Sequence, residues 1–87
     1  MKIIYSPKFS RMYKKLPQEI KLIAEKQERV FRKNPFDSKL KTHKLSGKLK
    51  NLFAFSINQK YRIIFEFGDR DKKTIYFHFV GNHKIYR

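Results

Sequence analysis

The sequence predicts an α+β fold in which an N-terminal strand and an α-helical hairpin pack on one face of a small antiparallel β-sheet. Three observations predict it. Apolar residues recur at helical spacing between Phe9 and Phe31, a polar and basic stretch follows Pro35, and from Leu52 onward the period becomes two.

Each element has a local cause. Lys2-Ile3-Ile4-Tyr5 reads as a short strand. Ser6 is placed to cap a helix whose first position is Pro7, where a missing N–H is harmless. Phe9, Met12, Tyr13 and Leu16 give that helix an apolar stripe to about Leu16. Pro17 breaks it and opens a second helix, with Glu19 in the first turn and an inner stripe of Ile20, Ile23, Ala24, Gln27, Val30 and Phe31. Lys21, Glu25, Glu28, Arg29 and Arg32 fall on its outer side. Asn34-Pro35 ends the helix, and 36–50 reads as a loop with one short extended piece and a turn at Ser46-Gly47. Phe53, Phe55 and Ile57 then alternate along a strand, and Asn58-Gln59 makes a tight turn. Tyr61, Ile63, Phe65 and Phe67 line one face of the next strand. After a turn over 68–71, Ile75, Phe77 and Phe79 line the last, with Tyr76, His78 and Val80 opposite. No repeats or low-complexity segments interrupt this pattern.

Eighty-seven residues suit one domain spanning 1–87, and nine Phe and five Tyr supply its core. The chain lacks cysteine, which removes disulfides and thiolate metal sites and suits a reducing cytoplasm. No window approaches transmembrane length and the first residues lack a signal-peptide pattern, so a soluble cytoplasmic protein is expected. Twenty-two Lys and Arg against seven Asp and Glu give a formal net charge of +15. Such a surface draws polyanions and releases counterions on docking to phosphates. Nucleic acid leads, an acidic protein partner fits the charge equally, and an anionic membrane fits least because the cations are spread along the chain.

Alternation puts Arg62, Glu66, Tyr76 and His78 on the face away from the helices. An arginine on a rigid strand can grip two phosphate oxygens with its planar fork, or simply pair with Glu66. His83, just past the last strand, and His43, in the basic loop, are candidate proton-transfer groups or else ordinary surface or packing histidines, whereas His78 reads as structural. Tyr86 can stack on a base or close the core edge. Lys41, Lys44, Lys48, Lys50 and Lys60 form a cationic neighbourhood suited to binding RNA. A metal site is not expected: Glu19, Glu25 and Glu28 sit on a helix exterior, Asp69 and Asp71 in a turn, and the histidines lack ligand spacing. No cofactor motif is present. RNA cleavage by such residues would use the substrate's own 2′-hydroxyl, with a base, an acid and a cation for the pentavalent phosphate.

These pieces resemble the RelE/ParE superfamily of toxins from toxin–antitoxin pairs, particularly its RelE-type and YafQ-like ribonuclease branches. The resemblance spans the chain: the opening strand and Pro-punctuated hairpin, His43-Lys44-Leu45-Ser46-Gly47, Tyr61-Arg62-Ile63-Ile64-Phe65, and Gly81-Asn82-His83-Lys84-Ile85-Tyr86. It implies a metal-independent mRNA endoribonuclease acting in the ribosomal A site, and a cognate antitoxin as partner. The chain would then be a monomer or part of a toxin–antitoxin hetero-oligomer. It also implies that Arg62 stabilises the phosphate, that His83 serves as acid or base with His43 assisting, and that Tyr86 positions the nucleotide. Ser56 stands where many relatives carry arginine or histidine, and Lys60 near where some carry aspartate, which leaves the division of acid and base roles open. Because the ParE branch poisons DNA gyrase on the same fold, gyrase inhibition is the first alternative, and a non-catalytic RNA-binding module the second.

Overall fold

The computed structural model describes residues 1–49, 51–68, 70 and 73–82. Lys50, Asp69, Asp71, Lys72 and residues 83–87 lie outside the described residues. Strand β1 (Lys2–Tyr5) leads into helices α1 (Pro7–Lys14) and α2 (Gln18–Lys33), followed by strands β2 (His43–Lys44), β3 (Phe53–Ser56), β4 (Tyr61–Phe67) and β5 (Thr74–Asn82). Single 3₁₀ turns at Ser38–Leu40 and Gly47–Leu49 flank β2. Among the described residues the strands form one sheet in the order β1-β5-β4-β3-β2.

Ser6 caps α1 by accepting the Phe9 N–H at 2.9 Å, and Pro7 occupies the first turn. Pro17 separates the helices, and the Tyr13 hydroxyl, donating to the Lys21 carbonyl at 3.3 Å, ties them together. In α2, Ile20, Ala24 and Phe31 are buried, whereas Ile23 is 37% exposed, against the expected inner stripe. At 3.6 residues per turn, Ile23 falls about 60° to one side of Ile20, off the line of the buried Ile20, Ala24 and Phe31.

The sheet is mixed rather than purely antiparallel. β1 pairs parallel with β5, Lys2 facing Thr74 and Tyr5 facing Phe77, while the remaining pairs are antiparallel. A parallel pair needs a long crossover. Here everything between β1 and β5, helices included, supplies it, so β1 lands on the edge beside the last strand.

Phe31 is the centre of the core. It is fully buried, with ring centroids 4.8 Å from Phe55, 4.9 Å from Phe65 and 5.5 Å from Phe77. Phe9, Leu16, Ile20, Ile63, Ile75 and Val80 complete this layer between helices and sheet.

Val80 was expected on the other face, and Phe79 in its place. The register explains the exchange: Ile64 faces Phe79 and Phe65 faces Phe77, so His78 is an extra residue opposite no partner. Such a bulge inverts alternation beyond it. Phe79 therefore turns outward and Val80 inward.

The outward face is not bare. Leu45, Ala54 and Ile64 are buried there in a second cluster, with Leu49, Leu52 and Phe79 packed against it. The segment expected to be an open basic loop folds over the sheet, closed by the Leu45 N–H donating to the Leu52 carbonyl at 2.9 Å.

Candidate nucleic-acid interface

Arg62 lies on the outward face in a row with Ser56 on β3 and Gly81 on β5. Its Nη1 donates to the carbonyls of Asn58 at 2.5 Å, Gln59 at 3.1 Å and Tyr61 at 3.1 Å. The same connection is held from within. Asn58 Oδ1 accepts the N–H groups of Lys60 and Tyr61, each at 2.9 Å, and the Ile57 N–H donates to the Tyr61 carbonyl. The link between β3 and β4 thus spans 57–60 rather than a two-residue turn. The other two guanidinium nitrogens make none of the three carbonyl bonds. A half-buried, charged fork is thereby fixed on a strand beside this turn.

Arg62 does not pair with Glu66. The Glu66 carboxylate instead meets His78 Nε2 at 2.9 Å. Four residues of strand separate Arg62 from Glu66, about 13 Å, which puts direct pairing out of range.

His43 is exposed in β2 opposite Ala54, in the row His43–Ala54–Ile64–Phe79 that neighbours the Arg62 row on the same face. Two strands across and two residues along place its Cα roughly 12 Å from that of Arg62, a span two long side chains can close on one phosphodiester. His43 Nδ1 lies 3.0 Å from the Lys41 carbonyl. A carbonyl only accepts, so Nδ1 carries a proton in this contact, and in the neutral imidazole the lone pair then lies on Nε2. Lys41 reaches this position in the left-handed region, φ 53° and ψ 38°, which costs a non-glycine residue about 1–2 kcal/mol. Beside His43, a recess of about 260 Å³ is lined by Lys44, Leu45, Ser46 and Leu49.

Lys41, Lys44, Lys48 and Lys60 are all exposed. Lys50, His83 and Tyr86 lie outside the described residues, as do the turn carboxylates Asp69 and Asp71. Asn82, immediately before His83, pairs with Tyr61, the neighbour of Arg62. Ser56 is buried at 7% exposure, and its carbonyl accepts from Gln27 Nε2 of α2 at 3.1 Å. Among the described residues no group of three or more His, Cys, Asp or Glu gathers as metal ligands. Among them too, no helix is long and apolar enough to cross a membrane.

Three contacts near this face were not expected from the sequence. Ser6 donates to the His78 carbonyl at 2.7 Å, Glu66 orients His78, and the Lys8 ammonium stands 5.0 Å above the Phe79 ring. Ser6 was expected only as a helix cap and Glu66 only as a candidate partner of Arg62, and nothing local to Lys8 pointed to Phe79.

No family model matches this sequence, and no curated protein matches it. Solved structures do. YafQ from E. coli strain BL21(DE3) superposes with a TM-score of 0.78 at 20% identity, over 97% of this chain and 94% of that one. A YoeB/ParE toxin from Agrobacterium tumefaciens gives 0.79 at 14% identity, over 95% and 99%. This is the RelE/ParE toxin fold. The archaeal RelE-RelB complex from Pyrococcus horikoshii OT3 matches it too, with a TM-score of 0.75 at 15% identity over 97% and 96%. A fold does not by itself fix an activity, so a function must be argued from this chain's own residues.

Proposed function

We propose that this chain is the toxin of a toxin–antitoxin pair and acts as a metal-independent mRNA endoribonuclease, cutting in the ribosomal A site. The observation that carries this reading is the anchored guanidinium of Arg62, on the sheet face that His43 shares, in a chain of net charge +15. The RelE-like fold supports it. An antitoxin partner is supported by the RelE-RelB complex among the similar structures.

The reaction needs no group from outside the RNA and the protein. The 2′-oxygen attacks phosphorus and gives its proton to a base, and the bond from phosphorus to the 5′-oxygen breaks as that oxygen takes a proton from an acid. The products are a 2′,3′-cyclic phosphate and a 5′-hydroxyl. His43 is the base, through the Nε2 that its bond to Lys41 leaves open. His83 is the acid, Arg62 neutralises the charge gained at phosphorus, and Tyr86 stacks on the nucleotide. Lys41, Lys44, Lys48, Lys50 and Lys60 hold the flanking phosphates.

Mapping of mRNA 5′ ends after induction tests this reading. New ends are expected with wild type, in the presence of EDTA, and not with Arg62→Ala or His83→Ala. Removing one donor to a developing oxyanion costs on the order of 10²–10³ in rate. Intact mRNA together with inhibited supercoiling would replace the reading with gyrase inhibition. RNA binding without new ends would replace it with a non-catalytic RNA-binding module.

A further inference from the structure

The outward face continues beyond Arg62 to a feature that the cleavage scheme leaves unused. Tyr76 is 37% exposed, and its ring lies near-parallel to the His78 imidazole, with centroids 6.4 Å apart and planes 26° from each other. Three contacts fix this aromatic pair. Glu66 holds the imidazole through Nε2, Ser6 holds the bulged backbone at the His78 carbonyl, and Gly68 provides the floor beneath the tyrosine. A Cβ at Gly68 would sit 2.3 Å from Tyr76 Cε2, so the ring lies where only glycine allows. The pair is thus pre-set, with its ordering already complete before any ligand arrives.

We propose that Tyr76 and His78 form a stacking platform for an unpaired nucleobase of the RNA, placed about 13 Å along β4 from Arg62. This rests on the nuclease reading for the identity of the polyanion. Exposed aromatics on a sheet face bind bases without regard to sequence, because every base offers a π face. Lys8, seated on the neighbouring Phe79 ring, supplies a cation for the adjoining phosphate. The platform gives grip on a strand already engaged at Arg62, with the bulge at His78 turning the imidazole into line.

The test uses the full chain and two probes of equal charge. One is a single-stranded hexaribonucleotide with 2′-O-methyl groups, which blocks cleavage, and the other is its abasic counterpart. Tyr76→Ala should weaken hexamer binding roughly fivefold or more and leave the abasic probe unchanged, the loss expected for one stacked base. Gly68→Ala should give a similar loss with the tyrosine still present, and Tyr76→Phe should retain wild-type affinity. Equal hexamer affinity for wild type and Tyr76→Ala overturns the platform, as do equal losses on both probes or no binding of the hexamer by wild type. Cleavage of unmethylated mRNA is read in parallel. Tyr76-dependent binding without cleavage removes the nuclease reading and keeps the platform, whereas cleavage with Tyr76-independent binding does the reverse.

Discussion

The Ser6 hydroxyl donates to the His78 carbonyl across 2.7 Å while its oxygen caps α1 at the Phe9 N–H. One side chain therefore satisfies a helix start and the carbonyl of a bulged residue. Ser6→Ala removes both bonds at once. We expect a stability loss of about 1–2 kcal/mol, read by urea denaturation. A loss near zero would mean that water replaces Ser6 at both groups.

Phe31 touches three other phenylalanines within a fully buried layer. Phe31→Ala should cost about 3–5 kcal/mol, a large part of the 5–15 kcal/mol usual for a domain. Thermal unfolding followed by circular dichroism should show a sharply lowered midpoint, or no cooperative transition.

Arg62→Lys keeps the charge but loses the fork that holds the turn carbonyls and, in the proposed reaction, grips the phosphate. Cleavage should fall at least tenfold, with RNA affinity nearly unchanged. Gel-resolved product formation at saturating RNA checks it. Wild-type rates in the lysine variant would reduce Arg62 to a point charge.

His43→Gln preserves polarity and size but cannot take up a proton. A loss of 10²–10⁴ in cleavage rate is expected of a missing general base. Binding should stay within about twofold, because Lys41 and Lys44 remain. A single-turnover assay beside a filter-binding assay separates the two effects.

The Tyr5 phenol donates to Glu28 Oε2 at 2.6 Å, and Arg32 Nη2 donates to the same carboxylate oxygen at 3.2 Å. Burial first, then the bond to Glu28, raises the Tyr5 pKa above its ordinary value of 10.0. The protonated phenol is favoured in the folded state. Its contribution is therefore whole below pH 10 and is lost as pH rises through the higher folded value. Tyr5→Phe should flatten the alkaline fall in melting temperature above pH 10, leaving the part due to Tyr13, whose pKa burial also raises.

Much of the architecture was legible because local physics dictated it. Ser6-Pro7 and Pro17 started the helices where they stand, and alternation gave β3, β4 and the first half of β5 their faces. What escaped depends on long-range pairing. Nothing near Lys2–Tyr5 records that β1 runs parallel to β5. The bulge at His78 arises from register against β4, so a strict period of two misassigns Phe79 and Val80. Leu45, Leu49 and Leu52 looked like scattered apolar residues in a basic loop until Ala54 and Ile64 supplied a surface to cover. Within the candidate site, the outward position of Arg62 was legible from alternation, and His43 only as an imidazole in a basic segment. The turn that anchors one and the Lys41 carbonyl that orients the other were not.

The parallel pairing of β1 with β5 also sets a schedule for the newborn chain. Ser6 and His78, which seal that junction, are 72 residues apart. At about 5–20 residues per second, the ribosome takes on the order of 4–14 s to deliver the second after the first. Through that interval the opening strand has no mate, and the sheet acquires that edge only once β5 has been made.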